Sequence, residues 1–251
     1  MPYAVLQADL SPPSIERMRR AFRSVPGLTP VDAQILGNDA FGILVKDFSG
    51  HQAGALQGAL QIEGVETEIV DQSCLPALPQ THFVQRLDCT PEHLLIYDPM
   101  GKTFTLDWRH IAFVAAGSVR LTDFVRRQEK RPVRRYHGHH STTVEVEYET
   151  VSHEERKFHL LAEIIITGAT LRYSLAADKF NFSYLGGRNL KNPVANFSLL
   201  VRDLAQFSAR ARLNQGAEAM RADATRVFTY PSKNAFYEEI IWTLWQMKKA
   251  A

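Results

Sequence analysis

Apolar residues recur along this chain at two spacings, and the switch between them marks out its elements. Ile15, Met18, Phe22 and Val25 fall three and four residues apart, with Glu16, Arg17, Arg19, Arg20 and Arg23 between them, which predicts an amphipathic helix. Asp9 or Ser11 can cap it, Pro12-Pro13 suits its first turn, where a missing N–H costs nothing, and Pro26-Gly27 stops it. Ala53, Leu56, Ala59 and Leu60 predict a second helix, opened by Ser49-Gly50 and ended by Gly64. Short apolar runs predict strands at Tyr3 to Ala8, Val31 to Leu36, Ala40 to Val45 and Val65 to Val70. Gly37-Asn38-Asp39 between the middle two suits a hairpin, because these residues tolerate the positive φ of a tight turn.

The predicted order is β-α-β-β-α-β, the ferredoxin-like split unit, with two helices over one face of a four-stranded antiparallel sheet. The stretch Ile15-Glu16-Arg17-Met18 through Val25-Pro26-Gly27-Leu28, then Val31-Asp32-Ala33-Gln34 and Ala55-Leu56 to Glu63-Gly64-Val65-Glu66, resembles a heavy-metal-associated domain. That family carries a metal-binding C-x-x-C in the first strand–helix loop. Here the loop is Leu10-Ser11-Pro12-Pro13-Ser14, whose hydroxyls and prolines supply no soft thiolate. The resemblance therefore implies the fold and no metal site. His51 is expected to be a surface or capping residue.

Beyond a linker at 74–81, β-type runs dominate. Phe83 to Leu87, His93 to Tyr97, Thr103 to Trp108, Ile111 to Val114, Thr143 to Thr150, Phe158 to Thr167, Leu171 to Leu175 and Phe180 to Tyr184 all predict strands. Asp98-Pro99-Met100-Gly101-Lys102 is a hairpin turn. Val144, Val146 and Tyr148 alternate with Glu145, Glu147 and Glu149, predicting a half-buried strand with water on one side. Phe180, Phe182 and Tyr184 share one strand face and are expected in the core. Two apolar stripes, Phe197 to Phe207 and Tyr237 to Trp245, predict closing helices. An open barrel or sandwich followed by a helix, with Asp107-Trp108-Arg109-His110-Ile111 before Ala115-Ala116-Gly117, resembles the pleckstrin-homology superfold. The chain is thus expected to be α+β: a ferredoxin-like domain over 1–73, a linker over 74–81, and over 82–251 an antiparallel β-barrel or sandwich of pleckstrin-homology-like kind with C-terminal helices.

Composition narrows the function classes. With 14 Gly and 12 Pro in 251 residues, the chain is neither disordered nor collagen-like. Its 29 Lys and Arg stand against 27 Asp and Glu, a balance that requires no polyanionic partner and argues against an obligate nucleic-acid footprint. The N-terminal run is broken by Asp9 and lacks a basic leader, and no apolar stretch approaches the roughly 20 residues of a membrane span. Two cysteines, Cys74 and Cys89, suit a reducing compartment, so a cytoplasmic protein is expected.

The densest local charge is the run containing Arg126, Arg127, Lys130, Arg131, Arg134 and Arg135, which raises the local potential enough to attract an anionic lipid head group or phosphate. The simpler expectation is a solvated loop between two strands. His137 and His139 follow, and would hold a metal only if His153, His159, Glu145 or Glu147 completed the set. Neither G-x-S-x-G nor a glycine-rich phosphate loop is present, and Glu154-Glu155 and Glu238-Glu239 are adjacent, as on a solvated face. These features point to a non-enzymatic binding or regulatory module without a cofactor, acting through contacts with a protein, with a homodimer as one form. A metal protein using His137 and His139, and an anion binder using the arginine run, are the alternatives.

Overall fold

The computed structural model describes residues 1–11, 14–98, 100–136, 142–222 and 227–250, and leaves aside the side chains of 123–126, 133–136, 142–145, 147, 153, 154, 156 and 169. The fold is α+β, with three separate sheets and no closed barrel among the described residues.

In the first sheet β1 (Tyr3–Gln7) lies between β2 (Ile43–Phe48) and β3 (Thr67–Asp71), antiparallel to both. The helices α1 (Ile15–Arg23) and α3 (Gly50–Ile62) form where the apolar spacing predicts them. Their buried residues Met18, Phe22, Leu56 and Leu60 meet Val5, Leu44 and Val45 of the sheet. The expected strand Val31 to Leu36 is instead helical, within α2 (Pro30–Asp39), and Gly37-Asn38-Asp39 is its last turn. The Thr29 hydroxyl accepts from Asp32 N while the Asp32 carboxylate accepts from Thr29 N, and Pro30 occupies the first helical position. That capping box overrides the β-branched residues, so the sheet has three strands and not four.

The other face of this sheet is closed from far along the chain. In α6 (Lys233–Ala250), Ile241, Trp242 and Trp245 pack against Ala4, Leu6 and Ile43. Trp242 donates its indole N–H to the Gln7 carbonyl at 2.7 Å, Lys46 pairs with Glu238 at 2.8 Å, and Lys249 with Glu68 at 2.7 Å. Residues 1–119 and 159–251 accordingly make one compact unit.

The β-rich part of that unit is built around two sheets. β5 (Leu87–Cys89), β6 (His93–Tyr97) and β7 (Thr103–Asp107) form an antiparallel meander. Gly101, at φ +82°, donates to the Asp98 carbonyl at 2.9 Å and closes the expected turn. The run Phe83 to Leu87 is divided between β4 (Thr81–Phe83) and β5. The larger sheet joins β4 to β8 (Ile111–Tyr136), β9 (Thr142–Ile166), β10 (Arg172–Ala176) and β11 (Arg212–Leu213) in the order β11-β8-β9-β10-β4, with β12 (Thr229–Tyr230) also on β8. Phe197, Leu200, Val201 and Leu204 of α4 (Pro193–Phe207) pack into the core with Leu87, Leu94, Ile111 and Ile164.

Phe180 to Tyr184 is not a strand: the segment runs into a 3₁₀ turn at Ser183–Arg188. Phe180 and Phe182 are buried nonetheless, their rings 4.9 Å apart edge to face. The short helix α5 (Gln215–Ala222) carries too few apolar positions to be seen in the sequence pattern. It is anchored by contact: a Cβ on Gly216 would lie 1.8 Å from the Ala116 carbonyl oxygen.

Two glycine substitutions test this packing in opposite directions. Gly216→Ala forces α5 off β8 and is expected to cost at least about 3 kcal/mol, since the atom met is backbone and cannot swing aside. Gly58→Ala sits in α3 with nothing within 4 Å of the new methyl, and is expected to stabilise by about 0.5–1 kcal/mol. Urea unfolding of the two variants against wild type measures both.

Candidate functional site

The basic run is not a loop. Arg120–Phe158, the second compact unit, comprises the outer parts of β8 and β9, and the candidates Arg126, Arg127, Lys130, Arg131, Arg134 and Arg135 all lie on the β8 strand. Pairing with β9 keeps the backbone extended through Tyr136, so the expected loop becomes one side of a ribbon. Arg127 pairs with Glu155, and Arg131 with Glu149 at 3.3 Å. Lys157, at 2.8 Å, and then Arg127 hold the Glu155 carboxyl below the usual carboxylate range. Two candidate anion contacts are therefore already occupied by the opposite strand. Lys130 is exposed, and Arg126, Arg134 and Arg135 have their side chains outside the description.

Val146 and Tyr148 share the face of β9 opposite Glu149. The alternation predicts a strand with this face buried, but the two are 53% and 63% exposed. A ribbon of two strands has no second layer of its own with which to bury that face. Phe158 is exposed as well, with the Arg120 guanidinium 5.6 Å from its ring centre.

His137 and His139 lie outside the described residues, as do the side chains of His153, Glu145 and Glu147. His159 belongs to the other unit, with its Nδ1 3.8 Å from Asp178. Among the described residues no three His, Cys, Asp or Glu side chains form a metal-binding group. The first strand–helix loop borders a cavity of about 450 Å3 lined by Gln7, Asp9, Ser11, Ser14, Arg17 and Glu66. The Asp9 carboxylate accepts from Ser11 N at 2.8 Å, which lowers its pKa, and the Gln7 amide spans from the Ser11 carbonyl to Gly42 N. Its oxygens and single guanidinium offer nothing soft to a thiophilic ion.

Sequence reasoning overlooked three buried ionisable clusters in the larger unit. Glu238 and Glu239, expected on a solvated face, are 8% and 0% exposed. The Glu239 carboxylate accepts from the Tyr230 hydroxyl, from Gln215 N at 2.9 Å and from Asn214 Nδ2 at 3.3 Å. Asn214 also exchanges bonds with Ala116, accepting from its N–H at 2.9 Å and donating to its carbonyl at 3.1 Å. In the second cluster Glu163 accepts from Tyr237 at 2.8 Å and faces Arg172 at 3.7 Å. In the third, Arg188 grips Asp203 through two bonds of 2.9 and 2.7 Å, and Tyr184 donates to the same carboxylate at 3.1 Å. Burial, reinforced by Asp203, pushes up the pKa of the adjacent Cys89 and keeps it a thiol, and both cysteines are free. Each carboxylate stands nine to seventy-four residues from the groups it meets, so no sequence motif announces these clusters.

Comparison of the chain with protein-family models, with curated proteins and with solved structures gives no match. No helix among the described residues is long and apolar enough to cross a membrane.

Burial raises the pKa of Glu239 above its ordinary value, against the donors that would lower it. A carboxyl whose pKa rises on folding binds its proton more tightly in the native state. Its contribution is therefore most favourable below the unfolded pKa and is lost as pH rises through the folded one. Urea unfolding between about pH 5 and pH 8 is expected to show stability falling with pH, and the neutral isostere Glu239→Gln is expected to flatten that slope. An unchanged slope in the variant would place the pH dependence elsewhere.

Proposed function

We propose that this is a non-enzymatic protein that works by protein–protein contact, with the β8–β9 ribbon as the contact element and a second copy of the chain as its partner. The observation that carries this is the contrast between the ribbon's two faces: Arg127 and Arg131 are paired on one, while Val146 and Tyr148 are exposed on the other. Exposed apolar residues on a two-stranded element favour a cover. A second copy supplies a cover of the same kind: two ribbons related by a two-fold axis along their length lay their Val146–Tyr148 faces against each other, with the Arg127–Glu155 and Arg131–Glu149 pairs on the outer faces.

An anion-binding role for the arginine run is less well supported, because the guanidinium groups of Arg127 and Arg131 already answer carboxylates. A metal role rests on His137 and His139 alone. On architecture, we read 1–73 as a ferredoxin-like unit whose second strand is replaced by α2. Support comes from the central position of β1 and from α1 and α3 packed on one face. We read the β-rich part as pleckstrin-homology-like, supported by the β5-β6-β7 meander and the α4 that follows the strands. Two free cysteines favour a cytoplasmic setting.

Sedimentation equilibrium of the full chain tests the contact. Wild type is expected to be dimeric at micromolar concentration, and Val146→Ser with Tyr148→Ser is expected to weaken the dimer by tenfold or more, about the loss of 1.5 kcal/mol of apolar burial. Both positions are exposed, so the variant is expected to keep its fold, and circular dichroism separates misfolding from dissociation. A wild type that remains monomeric at about 100 μM removes the second copy as partner.

A further inference from the structure

A second cavity in the larger unit, of about 600 Å3, opens beside the end of β1, between β11, α5 and α6. Its walls are Leu10, Leu213, Phe228, Trp242 and Met247, each only half-buried, with Arg212 beside them. The volume lies in the range that holds small organic ligands, and large apolar side chains converging on one hollow are the usual lining of such a site.

Most polar groups of the wall are committed elsewhere; Gln246 and, among the charged ones, Arg212 have no side-chain partner among the described residues. Trp242 spends its N–H on Gln7, leaving only its ring for the cavity. Gln215 donates its amide to the Leu10 carbonyl at 2.5 Å, and Thr243 donates to the Glu239 carbonyl at 2.9 Å. Glu218 is paired with Arg221 at 2.5 Å. Arg212 has no ion pair or side-chain hydrogen bond among the described residues. Its backbone is held in place all the same, since β11 pairs with Phe113 and Val114 of β8.

The cavity is thus an open, mostly apolar hollow with one guanidinium on a fixed strand that has no partner among the described residues. A carboxylate is the planar group that a guanidinium takes through two parallel hydrogen bonds, and the aromatic walls ask for a hydrocarbon body behind it. A highly charged anion would leave the apolar walls uncovered and bring its charge toward Glu218. We propose that this cavity binds a small amphipathic carboxylic acid, with the carboxylate on Arg212 and the apolar body against Trp242, Phe228 and Met247. The site is independent of the ribbon contact.

Titration of the full chain with decanoate and, separately, with indole-3-acetate tests it and tells an acyl body from an aromatic one. Isothermal titration calorimetry supplies the affinity, and 1-decanol and indole-3-ethanol are the matched neutral controls. At least one acid is expected to bind saturably below millimolar concentration. Arg212→Gln, at an exposed position, is expected to weaken that acid about tenfold or more while leaving the matched alcohol unchanged. The proposal is overturned if neither acid binds saturably up to about 5 mM, or if Arg212→Gln binds the acid as tightly as wild type.

Discussion

A carboxylate held away from water, with no ion pair among the described residues, has to be met by hydrogen-bond donors, and Glu239 is met by three. They come from Tyr230 on β12, Asn214 just before α5 and the Gln215 N–H that opens α5. Leaving a single buried acceptor of this kind unmet costs about 1–3 kcal/mol, more for a charged one. The carboxylate therefore fixes three segments relative to α6 at once, and Asn214 passes the constraint on to Ala116 of β8. Gly216 and Gly117 follow from it. The chain is drawn so close here that a methyl group on Gly117 would sit 2.3 Å from the Tyr230 ring, and one on Gly216 would strike backbone.

With α6 pinned there, a neighbouring side of the helix closes the β1–β3 sheet. Trp242 and Trp245 cover Ala4, Leu6 and Ile43, and the helix brings Glu238 to Lys46 and Lys249 to Glu68. The N-terminal strands thus depend on residues more than 170 positions away for one of their two faces. The same placement shapes the Arg212 cavity, whose walls combine the end of β1 with α6, so the latch and the hollow are products of one packing decision.

In the ribbon the governing term is electrostatic and local. One strand is basic, its partner acidic, and cross-strand pairs such as Arg131 with Glu149 hold register where no core of its own can. Such exposed pairs are individually worth little, on the order of 0–1 kcal/mol, so they set alignment more than stability. The apolar side chains on the other face are left for something else to cover.

Much of this was legible in the residues. The three- and four-residue spacing of Met18, Phe22, Leu56 and Leu60 placed α1 and α3, and the stripes around Leu204 and Leu244 placed α4 and α6, because helical burial repeats with the helical turn. The start of α2 is written in Thr29-Pro30-Val31-Asp32, although the β-branched Val31 and Ile35 suggest a strand there, and the alternation of Phe180 and Phe182 marks core positions without the strand it suggests. Tertiary structure alone decided which strand the arginines would face, since register is a property of two segments. It alone decided that Glu239 would be buried and that Leu10, Arg212 and Trp242 would share a hollow. Local periodicity records what one segment wants to bury; it carries no information about which distant segment arrives to bury it.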